Sequence, residues 1–181
     1  DFSNYFGGFG ALGGGGVTLA AGRDLINADA SVPTNARMAG LDNNQRIAPT
    51  LEKFHQLGGG DLSITAGRNI DGGSFLVDRG GALLVAGAEV TTNSAQSPSR
   101  GNMGTSGQSS LVYDELVWQP VTLFGSDSTF TVNARGDILV GAATNPFLLP
   151  QGVNNKFWYE TQFNTVNPTA AVSVNSFGGA I

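Results

Sequence analysis

The chain has 181 residues, of which 27 are glycine and 13% are charged, and its formal net charge is −5. Nine lysine and arginine residues, scattered singly, provide no basic surface for nucleic acid or an anionic membrane, and the lack of cysteine excludes disulfides and thiolate chemistry. A hydrophobic content of 40% is enough for one buried core and argues against disorder. Abundant glycine and few charges favour an all-β fold with many tight turns.

Short stretches with apolar residues at alternate positions recur along the chain and predict half-buried strands. They are residues 17–19 (VTL), 62–64 (LSI), 130–132 (FTV) and 172–174 (VSV), with a weaker copy inside residues 82–90 (ALLVAGAEV). The first three are followed by a small residue, by glycine and arginine in either order, by aspartate or asparagine, and then by a large aliphatic residue. That order predicts a strand, a sharp corner and a second short strand.

The spacing of these corners indicates a repeat. The aliphatic residues that follow them are Leu25, Ile70, Val90 and Ile138, at intervals of 45, 20 and 48 residues. The interval of 20 residues is a single period, and the intervals of 45 and 48 residues are close to twice that period with a few inserted residues. Internal periods of this size are typical of repeat architectures. We therefore predict a parallel β-helix, an all-β solenoid in which equivalent positions stack about 4.8 Å apart.

The β-helix interpretation predicts three columns of stacked side chains. Two are aliphatic and one is alanine: Leu19, Ile64, Leu84 and Val132; Leu25, Ile70, Val90 and Ile138; Ala21, Ala66, Ala86 and Ala134. The pattern runs to both ends of the sequence without a cap. Residues 1–181 are therefore expected to be a single β-helix segment of a longer protein.

Three stretches interrupt the repeat and predict loop excursions from the β-helix. Residues 33–57 contain the only stretch that is typical of a short helix, around Pro49 to Leu57. Residues 92–110 consist almost wholly of turn and linker residue types, which predict a mobile loop. Residues 144–168 carry asparagine and proline breaks around an aromatic run, which predict an ordered but irregular loop. Contact specificity is expected in these excursions, because positions in the repeat are committed to stacking.

Three stretches of the chain resemble the filamentous haemagglutinin family of large bacterial exoproteins, in the glycine-rich downstream part of its longest members. They are residues 5–37 (YFGGFGALGGGGVTLAAGRDLINADASVPTNAR), 57–90 (LGGGDLSITAGRNIDGGSFLVDRGGALLVAGAEV) and 128–150 (STFTVNARGDILVGAATNPFLLP). The resemblance implies a right-handed β-helical shaft, export by two-partner secretion, and display at or release from the outer membrane. Members of the family are adhesins, biofilm components or stalks with a toxic tip. Neither the family's amino-terminal secretion domain nor a nuclease-like tip is present in this sequence.

One tripeptide has a known role in cell adhesion. The sequence Arg135-Gly136-Asp137 is the motif that integrin-binding adhesins present on exposed loops. Asp137, however, stands where Asp24 and Asn69 stand in the other copies, which lack the tripeptide. A structural role at the corner is therefore the preferred interpretation, and attachment to a cell-surface protein is the alternative.

Large aromatic residues form the second candidate contact surface. It comprises Trp118, Trp158 and Tyr159, with Phe157 and Phe163 beside the last two. Such side chains combine apolar area with a polar group and are common where proteins bind glycans or other proteins. Packing against the flank of the β-helix is the favoured interpretation, since large exposed apolar patches are uncommon.

No catalytic, metal-binding or cofactor site is indicated by the sequence. His55 is the only histidine, and no Gly-x-Ser-x-Gly elbow accompanies it. Calcium-binding nonapeptides and EF-hand loops do not occur. Asp114 and Glu115 are the kind of carboxylates that sugar-cleaving β-helices use, but they form no larger acidic cluster. The chain is therefore predicted not to be an enzyme.

These observations predict a structural shaft segment of a secreted or cell-surface filamentous adhesin or exoprotein, which contributes to adhesion or biofilm formation. The expected partners are a host-cell or bacterial surface protein or glycan, and an outer-membrane secretion partner. The alternative is a carbohydrate-binding or carbohydrate-cleaving β-helix domain. A third interpretation is end-to-end self-association through the uncovered ends of the solenoid.

Overall fold

The computed structural model describes residues 8–38, 54–92, 120–145 and 168–181. Within these ranges the protein is all-β, as the composition predicted, and it contains no helix. Its thirteen strands are β1 (Phe9–Gly10), β2 (Val17–Ala21), β3 (Leu25–Ile26), β4 (Ala30–Val32), β5 (Thr34–Met38), β6 (Phe54–Gly58), β7 (Leu62–Ala66), β8 (Ile70–Asp71), β9 (Ser74–Ala86), β10 (Val90–Thr91), β11 (Val121–Ala134), β12 (Val140–Thr144) and β13 (Ala171–Ser176). All of their pairings except one are parallel.

Five parallel segments lie side by side in what we call the first stack. In spatial order they are β2, β7, residues 82–86 of β9, residues 129–134 of β11, and β13. Their register confirms the first predicted column, because it aligns Leu19 with Ile64, Ile64 with Leu84, and Leu84 with Val132. The predicted alanine column is confirmed by the same register, two residues farther along each strand.

Two further stacks complete the parallel pairing. The second stack contains β3, β8, β10 and the bridging residue Ile138, and its register confirms the other predicted column. The third stack contains β1, β4, residues 74–77 of β9, residues 121–124 of β11, and β12. The chain passes through the third, first and second stacks in the same order each time. We refer to one such passage as a layer.

The main core contains buried side chains from all three stacks. Alternation along the strands places Ile64, Leu84 and Val132 there, and each is fully buried. Burial of one such side chain stabilises the fold by about 1.5–3 kcal/mol. The corresponding residues of the outermost layers, Leu19 and Val174, are only partly buried. Most of the apolar burial is therefore provided by the layers that β7, β9 and β11 form.

The single antiparallel pair corrects one sequence prediction. The short helix predicted around Pro49 to Leu57 is wrong over residues 54–57, which belong to β6 and pair with β5; residues 49–53 lie outside the described ranges. An isolated helix of two turns is marginal in water, whereas strand pairing satisfies the backbone of both segments. The pair is fixed to the next layer, since the Thr34 amide donates to Asp78 Oδ2 at 3.3 Å and Arg79 Nη2 to the Gly58 carbonyl at 3.0 Å.

The middle strands of the third stack are buried on both faces, whereas both residues of β1 at its edge are exposed. Leu123 and Phe75 point into the main core, while Phe124 packs with Ala142 and Leu76 in a second, smaller apolar cluster. Phe124 is fully buried there. Of the other predicted excursions, residues 93–110 and 146–167 lie outside the described ranges.

Candidate functional site

The corner between the first and second stacks holds a repeated set of polar contacts between layers. Its backbone repeats from layer to layer, because the amides of Leu25, Ile70 and Val90 donate to the carbonyls of Asn69, Glu89 and Asp137 at 2.9–3.0 Å. The Ile138 amide donates likewise to the Ala180 carbonyl at 2.9 Å. The residues Asp24, Asn69, Glu89, Asp137 and Ala180 therefore occupy equivalent positions, which we call the corner ladder.

Three side chains of the corner ladder each bind the backbone of the next layer. Asp24 Oδ1 accepts the Asn69 amide at 3.1 Å, and Asn69 Oδ1 accepts the Glu89 amide at 3.2 Å. Asp137 Oδ1 accepts the Ala180 amide at 2.7 Å. A short side chain with an oxygen at this position reaches the adjacent backbone, which explains why three of the five positions hold aspartate or asparagine.

The tripeptide Arg135-Gly136-Asp137 lies in this corner. The side chains of Arg135 and Asp137 are exposed, and Gly136 is half-buried. The Gly136 amide donates to the Ala88 carbonyl at 2.7 Å, and Ser176 Oγ donates to the Gly136 carbonyl at 2.8 Å. The tripeptide is thus hydrogen-bonded on both sides to neighbouring layers, and the Asp137 carboxylate has the same structural role as Asp24 and Asn69.

An ion pair between two layers is a feature that the sequence analysis missed. Arg68 Nε donates to Asp24 Oδ1 at 2.8 Å, and Arg68 Nη2 makes a second contact with Asp24 Oδ2. The hydrogen bond from Arg68 is the main cause that lowers the pKa of Asp24; burial opposes it, and the Asn69 amide adds to it. The pKa of Arg68 is raised by the same hydrogen bond. The sequence carried only part of the signal: Arg68 follows Gly67 as Arg23 follows Gly22, which places both arginines at the same corner, but the pairing of Arg68 with Asp24 follows from the stacking of the two layers.

The ion pair makes stability depend on pH in the acidic range. A carboxyl whose pKa is lowered by folding stabilises the folded state when ionised, so its contribution is complete above its unfolded pKa of about 4 and is lost as the pH falls through the lowered value. We expect the urea midpoint of the wild type to fall more between pH 5 and pH 2 than that of Asp24→Asn. The substituted side chain keeps the acceptor for the Asn69 amide, as Asn69 itself shows in the next layer. Parallel pH profiles for the two proteins would contradict this assignment.

The remaining predicted site residues are not brought together in the described part of the chain. Trp118, Trp158 and Tyr159 lie outside the described ranges. His55 is exposed on β6, in register with Arg37 of β5. Within the described ranges, no three side chains of the types that hold metals lie close together. A search of the same ranges finds no helix that could span a membrane.

The outer face of the first stack adds one more contact that the sequence analysis missed. Asn175 Nδ2 donates to Asn133 Oδ1 at 2.9 Å, between β13 and β11. The two asparagines follow Val132 and Val174, which end the matching sequence stretches FTV and VSV, and this shared position was the available signal. Amide, carboxylate and guanidinium groups on the surface of the stacks therefore join neighbouring layers.

Taken together, the corner ladder is an arrangement that holds layers in register. Its hydrogen bonds run from one layer to the next, as does the ion pair of Asp24 with Arg68. The exposed charged groups at this corner are the ladder residues Glu89 and Asp137 and the adjacent arginines Arg23, Arg68 and Arg135. Comparisons with protein-family models, with curated proteins and with solved structures find no significant match to this chain.

Proposed function

We propose that this chain is a shaft segment of a secreted or cell-surface filamentous adhesin or exoprotein, folded as a right-handed parallel β-helix. Its task is reach and rigidity, and the proposal assigns it no catalytic role. The parent protein would be exported through an outer-membrane secretion partner. It would attach to a surface protein or glycan of a host cell or bacterium, or contribute to a biofilm.

The observation that carries the proposal is the cyclic order of the three stacks. A chain that returns to each stack in parallel register, one strand farther along each time, grows by adding layers of about 4.8 Å. Parallel strands joined by crossover connections are right-handed in nearly all proteins, which supports the proposed hand. The resemblance of residues 5–37, 57–90 and 128–150 to filamentous haemagglutinins supports the proposed family and secretion route.

Removal of one complete layer tests the architecture. Leu62 and Ala82 are register partners, so residues 62–81 form one whole passage through the stacks. Their deletion leaves every remaining strand of the three stacks with a parallel neighbour of the same stack. We expect the deletion protein to keep a strand-type circular dichroism spectrum and a cooperative urea transition, with a smaller m-value because less surface is buried.

A half-layer deletion is the matched control. Deletion of residues 62–71 removes β7 and β8 but leaves residues 74–77 of β9. Two strands of the third stack then follow each other along the chain without a strand of the first or second stack between them, so the cyclic order is broken. This smaller deletion is expected to abolish the cooperative transition. If removal of the whole layer also abolishes it, or if both deletions are tolerated, the β-helix proposal is wrong.

The shaft role is tested with three variants of the parent exoprotein in attachment assays. A shaft provides length without specificity, so the whole-layer deletion, Asp137→Asn and Trp158→Ala should each leave attachment within about twofold of the wild type. The Asp137→Asn variant keeps the acceptor for the Ala180 amide but lacks the charge that integrin recognition requires. Loss of attachment in Asp137→Asn would favour the tripeptide, and tryptophan-dependent binding in a glycan screen would favour the carbohydrate-binding alternative.

A further inference from the structure

The side chain of Ser128 is a buried polar group that the shaft proposal does not use. Ser128 is 4% exposed, and its Oγ has no hydrogen-bond partner among the described residues. It lies where β11 crosses from the third stack to the first. An unpartnered buried hydroxyl is unfavourable, because it has given up its hydrogen bonds to water without replacing them.

A small cavity adjoins this hydroxyl. Its volume is about 10 Å³, and Leu123, Gly125, Phe130, Thr144 and Val172 line it together with Ser128. The lining belongs to two neighbouring layers, since Thr144 ends β12 and Val172 lies near the start of β13. The volume corresponds to one water molecule.

The backbone beside Ser128 leaves room for the hydroxyl. A Cβ placed on Gly125 would lie 2.2 Å from Ser128 Oγ, so only glycine is compatible with the observed position of that oxygen. In the preceding layer the register partner of Ser128 is Gly80, which has no side chain. The hydroxyl and the cavity are therefore particular to the layer that β11 forms.

We propose that this cavity is the binding site of a single water molecule that is hydrogen-bonded to Ser128 Oγ. The Ser128 hydroxyl can donate one hydrogen bond and accept others, and the lining includes a second polar residue, Thr144. The remaining side chains of the lining are uncharged, which disfavours an ion. The water bridges the layer of β11 to the layer of β12 and β13, and it replaces the hydration that Ser128 loses on folding.

The test combines water detection with stability measurements on matched serine variants. Ser128→Ala removes the hydroxyl, and Ser173→Ala makes the same change at an exposed position of β13. In the wild type we expect a nuclear Overhauser cross-peak between a long-lived water and the Gly125 or Ser128 protons, and we expect Ser128→Ala to abolish it. The urea midpoint should fall in Ser128→Ala and remain unchanged in Ser173→Ala.

A dry cavity gives the opposite result. If the hydroxyl is buried without any partner, its removal also removes the free-energy cost of its desolvation, so the urea midpoint of Ser128→Ala would rise. No water cross-peak would appear in the wild type. A lower midpoint without a water signal would also overturn the proposal, because the hydroxyl would then have a partner within the protein.

Discussion

Leu84→Ala is expected to lower the free energy of unfolding by about 3 kcal/mol, one of the two largest losses predicted for single substitutions in this chain. Leu84 is fully buried, and its register partners Ile64 and Val132 cover it from the layers on either side. Truncation leaves a cavity between two rigid neighbours that pack at the strand spacing, so the site has little freedom to collapse.

Leu19→Ala is the matched control for this prediction. Leu19 occupies the same column at the outermost described layer, where it is only half-buried and has a partner on one side, Ile64. The same substitution should cost about 1 kcal/mol there, because less apolar surface returns to water. Equilibrium urea unfolding of both variants checks the difference. Equal losses would mean that the column is not a continuous core.

Gly80→Ala is expected to destabilise the protein by at least about 3 kcal/mol, for two separate reasons. Gly80 has a φ of +136°, a region that residues with a side chain rarely adopt, and an added Cβ would lie 2.2 Å from the Gly60 carbonyl oxygen of the preceding layer. The layers approach so closely at this corner that the carbonyl cannot move away without shifting its own strand.

Alanine substitutions at two other glycines distinguish the effect of backbone strain from that of steric conflict. Gly15 has a φ of +104°, but a Cβ there would meet no atom of the described residues within 4 Å, so Gly15→Ala should lose about 1–2 kcal/mol from backbone strain alone. Gly13 has neither a positive φ nor a close neighbour, and Gly13→Ala should change stability by less than about 0.5 kcal/mol. Thermal or urea unfolding of the three variants should follow this order. A loss in Gly80→Ala no larger than in Gly15→Ala would exclude the close approach between layers.

The repeat itself was readable from the sequence because the same local geometry recurs. The column of Leu25, Ile70, Val90 and Ile138 was aligned from the corner phrase alone, and the structure places these residues in register. Alternating apolar residues identified the first stack for the same reason. One face of each strand is in the core and the other is toward solvent, and a period of two follows directly.

The third stack left no such signal. Residues 121–124 (VTLF) form a nearly continuous apolar run, since Leu123 and Phe124 are buried on opposite faces of β11. A strand that is buried on both faces shows no alternation, and its assignment depends on which neighbours cover it. Residues 54–57 were missed for a different reason: the local sequence was compatible with a short helix, and pairing with β5 determined a strand.

By itself, then, the sequence determined the strands with one solvent-facing side, the corners and the column that stacks after them, because each depends on short-range residue order and on a repeated period. Only the tertiary structure decided the third stack, the antiparallel pair of β5 and β6, the ion pair of Asp24 with Arg68 and the cavity beside Ser128. These features depend on contacts between residues that are distant along the chain, and the free energy of such contacts comes from packing and hydrogen bonding across layers, which no local pattern encodes.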